Sequence, residues 1–330
     1  MAWDDRLGRR IKLRTLAILQ ETVAAGSMAK AARALAMTQP AVSYAIAELE
    51  QVLGVALLDR TPQGVTATVY GEALVRRGAV MINELRQGVD DIAFLADPGA
   101  GEIRVGATPP MSALAAAAIK RLARRHPRMV FHLIVEPTDT LLRQLQRRGI
   151  ELAVSRMLEP AAPEGFSAEI LFHDRLAVIA GRHNPWTRRR RVTLADLMPG
   201  PWALPPAEGF LGPLIRAAFA AHGLDAPRPT VITASTYTLA MLAAGGRFLF
   251  IHPEAMLRIP PGHPELAAVP VELPQARNPI GLLRLRERTA SPVAGVFAAA
   301  LQDVVREAGL GRPVPRNLRR KRMAERSPAG

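Results

Sequence analysis

The chain is 330 residues long, 49% apolar, free of cysteine and formally charged +14 at pH 7. That length allows two or three domains with filled cores, and the absence of cysteine excludes disulfides and thiolate metal sites while fitting a reducing compartment. The charge is a poor guide to nucleic acid: residues 1–70 carry eight basic against six acidic side chains, whereas residues 312–330 carry seven against one, so almost half of the excess lies in the tail. The basic residues are nearly all arginine, with lysine only at Lys12, Lys30, Lys120 and Lys321, as a bias in genome composition would produce. Met1 to Leu13 mixes Asp4 and Asp5 with arginines and has no apolar core, so it does not read as a secretory signal. The longest uncharged run, Pro229 to Gly246, is rich in Thr and Ala and stops at Arg247; it is a poor membrane span and a good buried strand plus helix. A cytoplasmic chain without a membrane partner is the expectation.

In chain order, residues 1–12 form a loose lead-in, and Leu13 to Ala25 predicts a helix with Leu16, Leu19 and Val23 facing inward. Ser27 stands as a cap before a second helix, Met28 to Ala36, whose Ala31, Ala32 and Leu35 let two helices cross closely. Leu35-Ala36-Met37-Thr38 reads as a turn. Thr38 then caps a third helix that carries Pro40 in its first turn, where a missing N–H costs little. Val42, Ile46, Leu49 and Leu53 recur at spacings of four, three and four and share one buried face; Pro40, Ser43, Tyr44 and Ala47 form an uncharged opposite face. Two strand-like runs, Val55 to Arg60 and Val65 to Thr68, flank Thr61-Pro62-Gln63-Gly64 as a hairpin wing.

A helix-turn-helix sends its second helix into the DNA major groove, about 12 Å wide, where side chains reach base edges. Gln39 can pair with adenine, Ser43 with several bases, and Ala47 or Pro40 can touch a thymine methyl. The DNA-contacting set is therefore Ser27, Lys30, Thr38, Gln39, Pro40, Ser43, Tyr44 and Arg60, with Lys30 and Arg60 directed to the backbone or minor groove. The competing reading is a helical hairpin in some other α domain.

Gly26-Ser27, Ala31-Ala32, Leu35, Thr38-Gln39-Pro40-Ala41-Val42-Ser43, Leu49-Glu50, Leu53-Gly54, Leu57-Leu58-Asp59-Arg60 and Thr68 to Gly71 follow one another in an order and spacing that resembles the LysR-type transcriptional regulators. Leu58 stands where that family usually has Phe, filling less of the wing's core, and Tyr70 where it usually has Ala. The resemblance implies an α/β chain with an N-terminal winged helix-turn-helix, a linker helix and a two-lobed regulatory domain like the solute-binding proteins. It also implies a small-molecule effector in the cleft and a homodimer or homotetramer on an interrupted palindromic operator in double-stranded DNA. The corresponding segments are 1–70, 71–96 and 97–311, with 312–330 as a disordered basic tail.

Gly71 to Ala96 carries a seven-residue repeat, with Val75, Ile82, Val89 and Ala96 at one core position and Gly78, Leu85 and Ile92 at the other. Such a seam wants a partner helix. In the family, two subunits supply antiparallel linker helices; the repeat itself leaves packing on the same chain as the alternative. Asp97-Pro98-Gly99-Ala100-Gly101 marks a hinge. Beyond it, strands at Glu102 to Ala107, Met129 to Val135 and Ile150 to Ser155 alternate with helices at Met111 to Arg125 and Thr138 to Arg148, the signature of a parallel sheet. A second set comes after Phe172 to Ala180: an extended Pro201 to Leu204, a helix Gly209 to His222, a strand Thr230 to Ala234, a helix Thr236 to Gly245 and a strand Arg247 to His252. Ile280 to Leu285 and a helix near Pro292 to Ala308 close the chain. Resemblance here rests on Gly101 to Gly106, Leu141 to Val154, where Glu151 replaces a usual Asp, and Gly245 to Pro253. Pro201 to Pro206 and Ile103 to Ala107 are similar to the branch that senses sugars or aromatic acids.

Open α/β sheets bind ligands beyond the carboxyl ends of their strands. The candidate effector residues are Thr108, Ser112, Thr138, Arg156, Phe210, Ser235 and His252, on loops of which three lead straight into helices. Helix N-termini favour an anionic effector, and Arg156 adds a bidentate grip. The plainer reading makes Thr108, Ser112, Thr138 and Ser235 caps or turn residues and pairs Arg156 with a neighbouring carboxylate. No glycine-rich phosphate loop, nucleophile elbow or zinc-spaced histidine pair is present, so no catalytic residue, metal or cofactor is assigned. His132 and Glu136 share a strand face and read as a core edge, and Arg188 to Arg191 after Trp186 reads as a solvated loop. Two rivals remain: an α/β enzyme with an accessory helix-turn-helix, which needs catalytic groups at the strand ends, and a solute binder, which needs an export signal.

Overall fold

The computed structural model describes residues 10–61, 64–157, 162–273 and 278–311. The expected tail at 312–330 lies outside them, as do most of the lead-in and the centre of the wing's turn. The N-terminal part contains α1 (Leu13–Ala25), α2 (Met28–Ala34), α3 (Gln39–Leu53), β1 (Leu58–Thr61) and β2 (Gly64–Ala67). Their core gathers Leu16, Leu19, Met28, Ala32, Val42, Ile46, Leu49, Leu57 and Leu58. α2 is shorter than its alanine content predicts because Ala36 adopts φ 52° and turns the chain toward α3. β2 likewise ends before Thr68, whose hydroxyl instead caps the next helix by accepting from Gly71 N at 3.1 Å.

That helix, α4 (Val69–Ala96), divides the predicted seam in two. Val75 and Ile82 pack on the N-terminal core, and a Cβ on Gly78 would lie 3.4 Å from Leu16 Cβ, so this half is covered by the chain's own α1. Farther along, Leu85, Val89 and Ile92 stay 56–70% exposed. Among the described residues, it is the C-terminal half of the seam that stays uncovered. This half of α4 is also tied to the two-lobed part of the chain: Asn83 Nδ2 donates to Arg147 O at 2.8 Å, Glu84 pairs with Arg148 at 2.5 Å and with Arg288 at 3.3 Å, and Phe94 is buried in the first lobe's core.

The first lobe contains β3 (Ala100–Ala107), α5 (Ser112–Arg125), β4 (Arg128–Val135), α6 (Thr138–Gln146), β5 (Leu152–Arg156) and β6 (Phe166–Asp174). The second contains β7 (Leu176–Gly181), the short α7 (Leu194–Leu197), β8 (Trp202–Leu204), α8 (Leu211–Ala220), β9 (Pro229–Ile232), α9 (Thr236–Ala244), β10 (Leu249–Pro253) and β11 (Leu266–Ala268). The chain then returns through β12 (Asn278–Leu285) and α10 (Pro292–Glu307) to the first lobe, giving sheets in the orders β4-β3-β5-β12-β6 and β11-β7-β10-β8-β9. The alternating segments pair in parallel as expected, β3 with both β4 and β5 and β8 with β9, while β12, β6 and β7 run antiparallel to their neighbours. Phe172 to Ala180 is shared by two strands, β6 and β7, which Arg175 separates where the chain passes from one sheet to the other, and the strand β11 has no counterpart among the expected elements.

Packing explains two further departures. Pro229 to Gly246 is not wholly buried: β9 is an edge strand with Ile232 64% exposed, and α9 exposes Tyr237 and Met241. Glu151, in place of the family's usual Asp, is buried and accepts from Ser291 N at 2.6 Å and Ser291 Oγ at 2.8 Å. Its carboxylate thus ties the start of β5 to the N-cap of α10, and burial raises its pKa.

Candidate DNA-reading face and inter-lobe site

The N-terminus of α3 forms because Thr38 Oγ1 accepts from Ala41 N at 3.4 Å and Pro40 occupies the first turn. Val42, Ile46 and Leu49 are buried by 98% or more, which turns Thr38, Gln39, Pro40, Tyr44 and Ala47 outward; Ser43 is half-buried beside them. Lys30 and Arg60 are exposed on flanking elements. Ser27 sits in extended backbone at the start of α2, but its side chain makes no capping hydrogen bond, contrary to its expected structural role.

A fastening that sequence reasoning missed holds the wing beside this face. Glu50 Oε1, on the inner side of α3, accepts from Leu57 N at 2.8 Å and Leu58 N at 3.2 Å. Val65 N donates to Gly26 O at 2.9 Å, so the second wing strand is pinned to the end of α1. Gly71 completes the junction: a Cβ there would lie 2.0 Å from the carbonyl oxygen of Leu57. The acidic residue after Leu49 was the available signal, because a carboxylate on the inward side of an amphipathic helix needs donors.

At the lobe boundary, Arg156 ends β5, Asp174 ends β6 and Asn278 begins β12, and strand register sets Asn278 opposite Asp174 and Arg156 opposite Ile280. Arg156 and Asp174 are each 4% exposed. Arg156 Nη1 donates to Asn278 Oδ1 at 3.2 Å, while Nη2 stands 3.8 Å from Asp174 Oδ2, too far for a hydrogen bond. Asp174 Oδ1 accepts from Arg175 N at 2.8 Å and Ala255 N at 3.3 Å, joining the first inter-lobe crossing to the turn that follows β10. Burial pushes the Asp174 carboxyl up to about 6 despite the opposing pull of Arg156, and burial lowers the Arg156 pKa.

The other expected residues lie at strand and helix ends of the two lobes. Thr138 Oγ1 and Ser155 Oγ are 2.8 Å apart at the start of α6 and the end of β5. Thr108 comes directly after β3, is 8% exposed and donates its N–H to Val154 O at 3.0 Å. In the second lobe Ser235 Oγ caps α9 by accepting from Thr238 N at 3.2 Å, and Thr236 Oγ1 meets Nε2 of His252 at 3.1 Å. His252 is buried and held neutral, its pKa pushed down to about 3 by burial and by the charge of Arg156. Ser112 turns back to Pro109 O at 2.8 Å as a turn residue. Phe210 stays 40% exposed at the start of α8 and is joined to the others by no hydrogen bond or ring contact among the described residues. Asp174 and Asn278 escaped the sequence reading, although an Asp interrupting the apolar run Phe172 to Ala180 was a visible cue. Elsewhere His132 pairs with Glu102 at 3.0 Å, and Arg189 stacks on Trp186 at 4.4 Å. Neither contact lies at the lobe boundary.

Two family models match the chain: the bacterial regulatory helix-turn-helix protein of the lysR family over residues 13–72, and the LysR substrate binding domain over residues 96–306. The HTH-type transcriptional regulator GbpR of Azospirillum brasilense is 28% identical over 90% of this chain and 87% of its own length. PcaQ of Agrobacterium fabrum is 27% identical over 92% and 98%. Full-length CbnR, solved in complex with its target DNA, shares the fold with a TM-score of 0.63 at 21% identity, covering 89% of this chain and 100% of that one. The chain belongs to the LysR family of DNA-binding transcriptional regulators.

Proposed function

We propose that the protein is a cytoplasmic regulator that binds an interrupted palindromic operator in double-stranded DNA as a homodimer or homotetramer and answers to a small anionic effector held between its lobes. Its working parts are residues 1–70, which read DNA, 71–96, which link and dimerise, 97–311, which bind effector, and a basic tail at 312–330. The observation that carries the reading is the uncharged, outward ridge of α3 above a core that does not include it. Gln39 and Ser43 read base edges, Pro40, Tyr44 and Thr38 fit the groove, and Ser27, Lys30 and Arg60 meet phosphate or the minor groove. CbnR on its target DNA supports this use of the fold.

The exposed Leu85, Val89 and Ile92 are the surface by which α4 meets a second copy and sets two ridges on two half-sites. The effector sits among Thr108, Thr138, Arg156, Ser235 and His252, with Ser112 and Phe210 at its margin. Two helix N-termini, those of α6 and α9, and one guanidinium favour negative charge there. Bound effector shifts the angle between the lobes, and through the polar ties of Asn83 and Glu84 the angle of α4, altering half-site spacing or DNA bend. The test is a footprint of the protein on its own upstream DNA at physiological salt, with random duplex as competitor. Preference for the upstream site is expected, and equal affinity for both overturns the reading.

A further inference from the structure

Among buried polar atoms of the described residues, Arg156 stands out because its Nε and Nη2 make no hydrogen bond, while Nη1 is satisfied by Asn278. Nε–H and Nη2–H point from the same edge of the planar guanidinium, parallel and spaced to receive both oxygens of one carboxylate. A buried cation with that edge unpaired is costly, and the closest acid does not relieve it: Asp174 is committed to the backbone N–H groups of Arg175 and Ala255 and reaches only Nη2, at 3.8 Å. Asn278 fixes the guanidinium in its plane. His252, neutral, contributes no competing charge.

We propose that the group recognised between the lobes is a carboxylate, taken side-on by Nε and Nη2 of Arg156, with Asp174 as a resident anion that restrains its affinity. This rests on the inter-lobe site of the proposed function and names the chemistry of its ligand. A single sugar hydroxyl makes poorer use of a flat two-donor edge than a carboxylate, which offers one oxygen to each donor. Asp174, beside the same guanidinium, is bonded to Arg175 at the first inter-lobe crossing, and Asn278, bonded to the guanidinium itself, opens the strand after the second, so occupation of the edge is felt where the chain passes between lobes.

The test uses the full chain and its thermal midpoint at constant ionic strength, with acetate and benzoate each matched against acetamide and benzamide and with chloride as the ionic control. Stabilisation by at least one carboxylate beyond its amide is expected. Arg156→Lys, which keeps the charge but lacks the fork, is expected to lose at least about tenfold in carboxylate affinity. Asp174→Asn, which retains an oxygen for Arg175 N, is expected to bind the same carboxylate about tenfold more tightly. Equal response to acids and amides, no response to either acid, or full retention of the preference in Arg156→Lys overturns the proposal, and so does weaker binding by Asp174→Asn. Because upstream-DNA preference is measured separately, a protein that holds its operator yet ignores carboxylates refutes this inference alone.

Discussion

The face of α3 and the cluster at the lobe boundary place their polar groups on opposite sides of the solvent boundary. On α3, Thr38, Gln39, Pro40 and Tyr44 lie within two helical turns of one another and project outward, over Val42, Ile46 and Leu49, which pack without them. At the lobe boundary, Ser155, Arg156, Asp174 and His252 are all at most 4% exposed and are brought together from β5, β6 and β10. Recognition and stability are therefore separable on the helix, because groups that already face water lose little when changed. In the cluster the same groups serve both ends, since each carries a desolvation cost that its neighbours must offset.

The sharpest way to break this contrast is Arg156→Met. It leaves Asp174 without its buried cation, and a loss of about 3–5 kcal/mol in urea unfolding at neutral pH is expected. Adding Asp174→Asn should recover most of that loss, because the remaining neutral group keeps an acceptor for Arg175 N. A single variant as stable as the parent would show that the pair contributes nothing to the fold.

Acid titration sharpens the contrast next. His252 has a folded pKa of about 3 against an ordinary 6.5, so the stability it contributes is complete above 6.5 and is lost as pH falls toward 3. Asp174 has the opposite sign: raised to about 6 from 3.8, it contributes stability that is present below 3.8 and lost as pH rises through 6. The two oppose each other across the mildly acidic range. His252→Gln removes one side, so between pH 7 and about pH 5 its stability relative to wild type should move by about 2 kcal/mol in its favour. Parallel pH profiles for the two proteins would contradict a buried neutral histidine.

The same contrast explains what could be read from sequence. The α3 face was legible because helical periodicity, a cap and a proline act within fifteen residues, and each has a local physical meaning. The alternating half of the first lobe was legible for the same reason. Illegible were the contacts made by tertiary register: Asn278 reaches Arg156 across 122 positions, and Glu50 finds the wing only because Gly71 allows α4 to close on Leu57. The apolar seam on α4 is plain in the sequence, but sequence could not show that α1 covers its first half, since Val75 and Ile82 look the same as Val89 and Ile92. Arg156 is visible from its position at a strand end, while its pairing with Asp174, 3.8 Å away, exists only once β5 and β6 are set on either side of β12.

On the exposed side, effects should appear in affinity and not in folding. Gln39→Ala removes a bidentate partner for a base edge, and a loss of about tenfold in affinity for the upstream site is expected, with unfolding free energy changed by less than about 0.5 kcal/mol. Lost discrimination between the site and random duplex would accompany it. A change in stability as large as the change in binding would mean that Gln39 belongs to the core, and the separation of recognition from stability would fail.

Thr38 is the residue at which the separation is least complete, because its hydroxyl accepts from Ala41 N at 3.4 Å while the side chain remains exposed beside Gln39. Thr38→Ala removes the cap and should cost about 0.5–1 kcal/mol in stability, since one helix-end donor then turns to water. Thr38→Ser keeps the oxygen and deletes only the methyl group, so its stability should match wild type within about 0.3 kcal/mol. If the methyl packs in the groove, Thr38→Ser still weakens operator binding, by about threefold, whereas a cap-only role leaves its binding at the wild-type level. The smallest expected effect in the protein thus decides whether the reading face begins at Thr38 or at Gln39.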